Sequence, residues 1–427
     1  MNTVEKNMEG FTDRQIEMAS KARRLQHIMG LPCIQDFKAM VQNNMIKNCP
    51  ITLQDIATAE QVYGKSVGVI KGKVTRQKPE PVITDYVEVP KRILDLNKEI
   101  TLSADIMYVQ GMPFFITVSR DLKLTTTELM SDKTQQTILN CITNIQSVYK
   151  NRGFEVKTLL MDREIIPVVD NLRAIGIEPN PTSANEHVPE VERQIRIVKE
   201  RVSGLYNTLP YETIPKIMME HLVYYVVGWL NNFPVKSGIS KILSPRTLIT
   251  GVQLDHNKHC LLEFGEYVQV HEENSPTNSM EPRATGAIAL GSTYTLQGGY
   301  KFLSLNTGRI IHRRSFTRIP LTQDVKARVE QMARHQGRPS RLGFQNRLGT
   351  DLEDQVNDSE NELNGDEEEY SAVPAEEEDR EDELPEEEEA DNEEDEIIDP
   401  EGDEVMYTRS GRKINKPRRL IPSFTGQ

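Results

Sequence analysis

A chain of 427 residues is long enough for two or three domains with real cores, but at 37% hydrophobic it is too polar for all of it to fold. The net charge of −14 is concentrated: residues 351–404 carry 30 acidic residues against one base, Arg380, and setting that −29 aside leaves a body of +15 whose expected partner is nucleic acid. Four scattered cysteines without a CxxC pair give no sign of a disulfide framework, and the longest apolar run, "HLVYYVVGWL" at 221–230, is too short to span a bilayer, so we expect a soluble intracellular protein with no membrane partner.

Residues 1–80 read as a helical module with a basic connector. "FTDRQIEMASKARRLQHIMG" opens with Thr12 three residues before Gln15, the spacing of a capping box, and stops at Gly30. Two further helices cover "IQDFKAMVQNNMI" and "LQDIATAEQVY". From about 95 to 255 the texture is strand, strand, strand, helix, strand, helix. "EITLSADIMYV" and "PFFITVSRD" are rich in β-branched and aromatic residues, and "DKTQQTILNCITNIQSVYK" puts Ile138, Ile142, Ile145 and Tyr149 on one helical face. This pattern predicts an α/β fold with a mixed sheet flanked by helices. Two longer helices follow, at about 188–207 and 214–232. Short strands separated by glycine turns between 260 and 322 predict a small β-barrel. Residues 323–350 are basic and partly helical, and 351–427 is expected to be a disordered acidic tail ending in a basic stretch.

Asp is disfavoured within strands, yet Asp105 sits inside "TLSADIMYV" and Asp162 ends "VKTLLMD". Acids converging beyond the carboxyl ends of strands suit a divalent metal, and with a third acid they suit two. Spacing alone is weak support, because 65 acids offer many triplets. Asp121 reads as a turn residue, and Glu164 and Asp170 as complements to the next helix's dipole.

At "LSADIMYVQGMPFFITVSRD", "KTLLMDRE" and "HVPEVERQIRIVKERV" the chain resembles the catalytic core of retroelement integrases, specifically those of copia-type retrotransposons. "WLNNFPVKSGISKILSPRTLITG" is similar to the family's segment after the core. The resemblance implies a ribonuclease H-like fold whose three acids, here Asp105, Asp162 and Glu192, bind two Mg²⁺ or Mn²⁺ ions. It implies a polynucleotidyl transferase that processes element ends and joins them to target DNA, acting in the nucleus as a homo-oligomer. The closing "TRSGRKINKPRRL" resembles the joint to reverse transcriptase, so the chain is expected to be a piece of a longer Pol polyprotein. "HVPEV" stands where the family has Asn-Gly, and "DRE" where it has an Asp-Asn-Gly-type turn. A catalytically degenerate DNA-binding protein is therefore one alternative, and an acidic-tailed chromatin-interaction protein another.

Pro189 sets the start of the helix near Val188. Glu190 then complements the helix dipole, Val191, Ile195, Val198, Val202 and Leu205 form the buried face, and Glu192 shares another stripe with Arg196 and Lys199. The plainer alternative is a solvated ion pair between Glu192 and Arg196. Arg193, Arg196 and Lys199 are expected to meet phosphates, as are Arg313 and Arg314 with Arg309 and Arg318 on the barrel. The family's N-terminal module holds zinc with two His and two Cys. Only His27, Cys33 and Cys49 lie in that region, so no zinc is expected there. His27 and both cysteines read as packing residues, and His256, His259 and Cys260 as a loop.

Overall fold

The computed structural model describes residues 1–72, 81–82, 84–181, 188–235, 237–272, 281–339 and 342–343. The acidic tail at 351–427 and most of the basic connector therefore lie outside the described residues. The N-terminal module is helical: α1 (Val4–Met8), α2 (Asp13–Ile28), α3 (Ile34–Gln42), α4 (Leu53–Tyr63) and α5 (Val67–Lys71). Its core is small, built from Ala19, Ala22, Phe37, Ile51, Ile56 and Ala59. Both Thr12–Gln15 and Thr52–Asp55 form capping boxes, which satisfy amide donors that the first turn leaves unpaired. Two packing assignments are corrected. His27 is exposed, and Cys33 is an exposed N-cap whose sulfur accepts from the Asp36 amide at 3.4 Å.

After α6 (Lys91–Asn97) come β1 (Glu99–Val109), β2 (Met112–Ser119) and β3 (Thr125–Leu129). Then follow α7 (Gln135–Lys150), β4 (Glu155–Met161), a 3-10 turn (Arg163–Val168), α8 (Val169–Ala174) and β5 (Glu178–Pro181). The strands form one sheet in the order β3-β2-β1-β4-β5. β1, β2 and β3 pair antiparallel, while β4 and β5 join parallel. A mixed five-stranded sheet flanked by helices is compatible with a ribonuclease H-like core. Strand β1 is central and buried on both faces, so that even Ser103 and Asp105, which alternate with its apolar residues, are covered. On one face Ile100, Leu102, Ala104 and Ile106 meet Ile138, Ile142, Ile145 and Tyr149 of α7. On the other, Met107, Val109, Phe114, Ile116 and Val118 meet Val191, Val198 and Val202 of α9 (Pro189–Thr208). At the outer edge, Pro179 and Pro181 have no amide to offer a neighbouring strand.

α10 (Lys216–Leu230) is apolar nearly all round, and its environment explains why: it packs against β3 on one side and against the second sheet on the other. α11 (Pro245–Thr250) and the short α12 (His256–His259) lead into that second sheet, made of β6 (Tyr267–His271), β7 (Ala284–Ser292), β8 (Tyr300–Ser304), β9 (Ile310–Arg313) and β10 (Phe316–Arg318). All its pairings are antiparallel, in the order β10-β6-β7-β8-β9. It is curled rather than closed. β9 and β10 end the order unpaired with each other, yet Phe316 of β10 packs on Tyr300 and Phe302 of β8. α13 (Gln323–His335) then covers the core shared by the two sheets. The residues after it return to the β1–β2 hairpin, where Arg338 donates to the Gln110 side chain and the Gln110 amide donates to the Gly343 carbonyl at 2.7 Å.

Among the described residues no helix is long and apolar enough to cross a membrane.

Candidate active site

The parallel register of β1 and β4 ends on the pair Ala104–Met161. One step further along each strand are Asp105 and Asp162, so the ladder brings the two acids side by side on strands about 4.8 Å apart. Asp105 is 8% exposed, and its Oδ1 accepts from the Ile106 amide at 2.7 Å. By the two-residue period of a strand it shares a face with Ser103 and Met107, the face that α9 covers.

α9 runs along β1 in the same direction. Glu190, in its first turn, accepts from the Ser103 hydroxyl at 3.0 Å. At the far end, Tyr206 lies within electrostatic reach of Arg338, which holds Gln110 in the hairpin beyond β1. The lengths agree: Ser103 to Gln110 spans about 23 Å of strand, and Glu190 to Tyr206 about 24 Å of helix.

Glu190 is held twice. Besides Ser103, Arg120 at the end of β2 donates from Nε to Glu190 Oε1 at 3.0 Å. Glu190 therefore faces the β2 side of the helix. Glu192 lies about 200° further round, on the opposite flank, and Lys199 is within about 20° of Glu192. That flank faces Asp105: burial lowers the Lys199 ammonium pKa, and the Asp105 carboxylate beside it raises it again. Lys199 is half-buried and helical side chains lean toward the N-terminus, which lets it reach back along β1 to Asp105.

Of the remaining expected residues, Glu192 and Arg193 are exposed on α9, and Arg196, 73% exposed, stands 3.9 Å from Glu200. Arg313 is engaged with Glu272 at 3.2 Å, whereas Arg314 is exposed at the turn between β9 and β10. His259 is buried with both ring nitrogens used, Nδ1 accepting from the Asp255 amide and Nε2 bonded to the Thr295 carbonyl, each at 2.9 Å. The "HNKHC" cluster is thus part of the scaffold.

Carboxylate oxygens at Asp105 and Asp162 suit a hard divalent cation. Among the described residues, however, no three His, Cys, Asp or Glu side chains are grouped closely enough to hold one. The pair is built into the sheet, and the third acid is on a helix that only flanks it. Sequence reasoning missed Ser103 and Arg120. Strand alternation places Ser103 with Asp105, but nothing in the sequence shows that α9 would set Glu190 over it.

Among solved structures, the catalytic core domain of BIV integrase is similar to this chain, at 15% identity over 35% of this chain and 92% of that chain, with a TM-score of 0.27. No protein-family model and no curated protein matches the chain.

Proposed function

We propose that the Asp105–Asp162 edge is the active site of a metal-dependent polynucleotidyl transferase of the integrase class, with DNA as substrate. The observation that supports this most is the adjacency of two acids at the ends of parallel central strands, beneath a helix carrying Glu192, Arg193, Arg196 and Lys199. In this reading Asp105 and Asp162 would hold Mg²⁺ or Mn²⁺, with Glu192 joining them only by moving closer than it stands here, and the bound ion would supply Lewis acidity and an activated nucleophile for in-line displacement. The protein's own contribution is orientation and charge. The Ile106 amide fixes Asp105 Oδ1, and the Lys199 ammonium offsets carboxylate repulsion when the site is empty of substrate. Arg193 and Arg196 line the outer side of α9, where they suit phosphates flanking the reacting one. In the same proposal the element is of copia type, and the chain works in the nucleus as a homo-oligomer on element ends and target DNA.

A second reading is a catalytically degenerate DNA-binding protein. It is favoured by the lack of a three-acid group among the described residues and by the two protein cations, Arg120 and Lys199, already interleaved with the acids. Joining of a labelled oligonucleotide end to a target duplex with Mg²⁺ or Mn²⁺ separates the two. Activity in the wild type that Glu192→Gln abolishes supports the transferase. A wild type that binds DNA but joins nothing with either metal establishes the degenerate reading instead.

A further inference from the structure

Gly204 lies inside α9, where a glycine weakens the helix relative to alanine. Nothing in the fold asks for it. The residue is exposed, and a Cβ built on it meets no heavy atom within 4 Å. A glycine kept at such a place fits the close approach of something from outside the chain.

Gly204 opens onto a cleft of about 470 Å³ between α9 and α10, within the size range of small-ligand sites. Leu205 lines it from α9, Tyr225 and Trp229 from α10, and Phe233 just beyond. Trp229 stands edge-on to both Tyr225 and Tyr294, at ring-centroid distances of 6.2 and 6.1 Å, so it is held in place before any partner arrives. Phe233 is 53% exposed, although it is a large apolar ring. The one charged residue in the lining is Arg201, which is exposed and has no ion pair among the described residues. Aromatic rings beside a cation suit an unpaired nucleotide, whose base stacks while its phosphate meets the guanidinium. A helix bared at glycine lets a flat base lie close to the backbone. Charge selects among the possible occupants. Outside the acidic segment the chain carries +15, which attracts a nucleic-acid strand and repels a second copy of the same body.

We propose that the α9–α10 cleft binds an unpaired nucleotide of a DNA strand, with the base among Trp229, Phe233 and Gly204 and the phosphate on Arg201. Glu192 is about 18 Å back along the same helix, so a strand unpaired beside the acidic edge is within reach of the cleft. The inference takes its substrate class from the proposed function, but it does not depend on chemistry at Asp105.

Trp229 is the only tryptophan in the chain, so its fluorescence reports on the cleft directly. The full-length protein is titrated with oligo(dT) and with a duplex of equal charge. Oligo(dT) should quench Trp229 saturably, and the duplex should bind with little quenching. Gly204→Ala should raise the midpoint of thermal unfolding, because alanine favours the helix, yet weaken oligo(dT) binding about tenfold. Phe233→Leu should weaken it similarly, and its exposed position keeps the fold intact. Arg201→Ala should lower the magnitude of the log–log salt slope for oligo(dT) by about 0.7, as loss of one phosphate contact on a single strand does. Duplex affinity should be unchanged in Gly204→Ala and Phe233→Leu. Unchanged oligo(dT) affinity in both of these variants overturns the proposal. So does quenching that follows protein concentration without DNA, which assigns the cleft to a second copy. Duplex binding without oligo(dT) binding overturns the cleft alone, whereas a wild type that binds neither overturns the proposed function as well.

Discussion

Asp105 and Asp162 stand together because Ala104 and Met161 pair in parallel register immediately before them. Two carboxylates on neighbouring strands repel unless a cation lies between or beside them.

Saturating Mn²⁺ should therefore stabilise the fold, by about 2.7 kcal/mol at a hundred times the dissociation constant. Thermal unfolding with and without the ion measures this. Asp105→Asn and Asp162→Asn should each abolish the increment with little loss of intrinsic stability, since Asn keeps the volume and can still accept from the Ile106 amide. An increment that survives in both variants places the ion elsewhere.

Arg196 and Lys199, one turn apart, should behave differently on DNA. Arg196 is largely exposed, so Arg196→Ala should lower the magnitude of the log–log salt slope of binding by about 0.9, the signature of one lost phosphate contact. Lys199 is half-buried and faces Asp105, so Lys199→Ala should change the slope less and reduce joining more. Titrations at several salt concentrations, beside the joining assay, check the contrast. Equal slope changes for the two variants contradict it.

His221, buried in α10 with its ring edge-on to Tyr224, carries a pH dependence of its own. Burial, with Lys301 and His312 nearby, pushes its pKa down from 6.5 to about 4. The unfolded chain thus takes up this proton first as pH falls, and stability drops between about 6.5 and 4, by on the order of 3 kcal/mol in total. Above pH 6.5 the contribution is complete, and below 4 no more is lost. Urea unfolding at pH 7.5 and 4.5 should show the difference, and His221→Phe should reduce it. A pH dependence identical in His221→Phe assigns the loss to other groups.

Asn231, just after α10, continues the first sheet beyond its edge. Its Oδ1 accepts from the Thr125 amide at 2.8 Å, and its Nδ2 donates to the Thr125 carbonyl at 2.6 Å, both in a buried setting. Asn231→Ala leaves a buried donor and acceptor unpaired and should cost about 2–4 kcal/mol by denaturant titration. A loss below about 0.5 kcal/mol would mean that water replaces the amide fully.

Much of this architecture was legible in the order of residues. The capping box at Thr12, the α7 face of Ile138, Ile142, Ile145 and Tyr149, and the start of α9 at Pro189 depend on neighbours within a few positions. Local backbone chemistry and helical period settle such features, so they can be read along the chain. The two strand acids were legible for a related reason, because Asp inside an apolar strand contradicts strand propensity and so stands out.

The rest depended on distance in space. His27 lies among apolar neighbours in sequence, yet its helix turns it to solvent, because the small α2–α4 core is filled by Ala19, Ala22 and Phe37. The second sheet curls without closing, since pairing between its end strands is decided by how they meet rather than by their composition. Above all, Glu190 and Glu192 are both acids in the first turn of a basic helix. The sequence by itself determined that an acid-headed helix follows a strand ending in Asp162, through propensity and period. Only the tertiary structure decided which acid faces which way, because the buried stripe of Val191, Val198 and Val202 sets the rotation of that helix, and Ser103 and Arg120, 87 and 70 residues from Glu190, bond the acid on one flank.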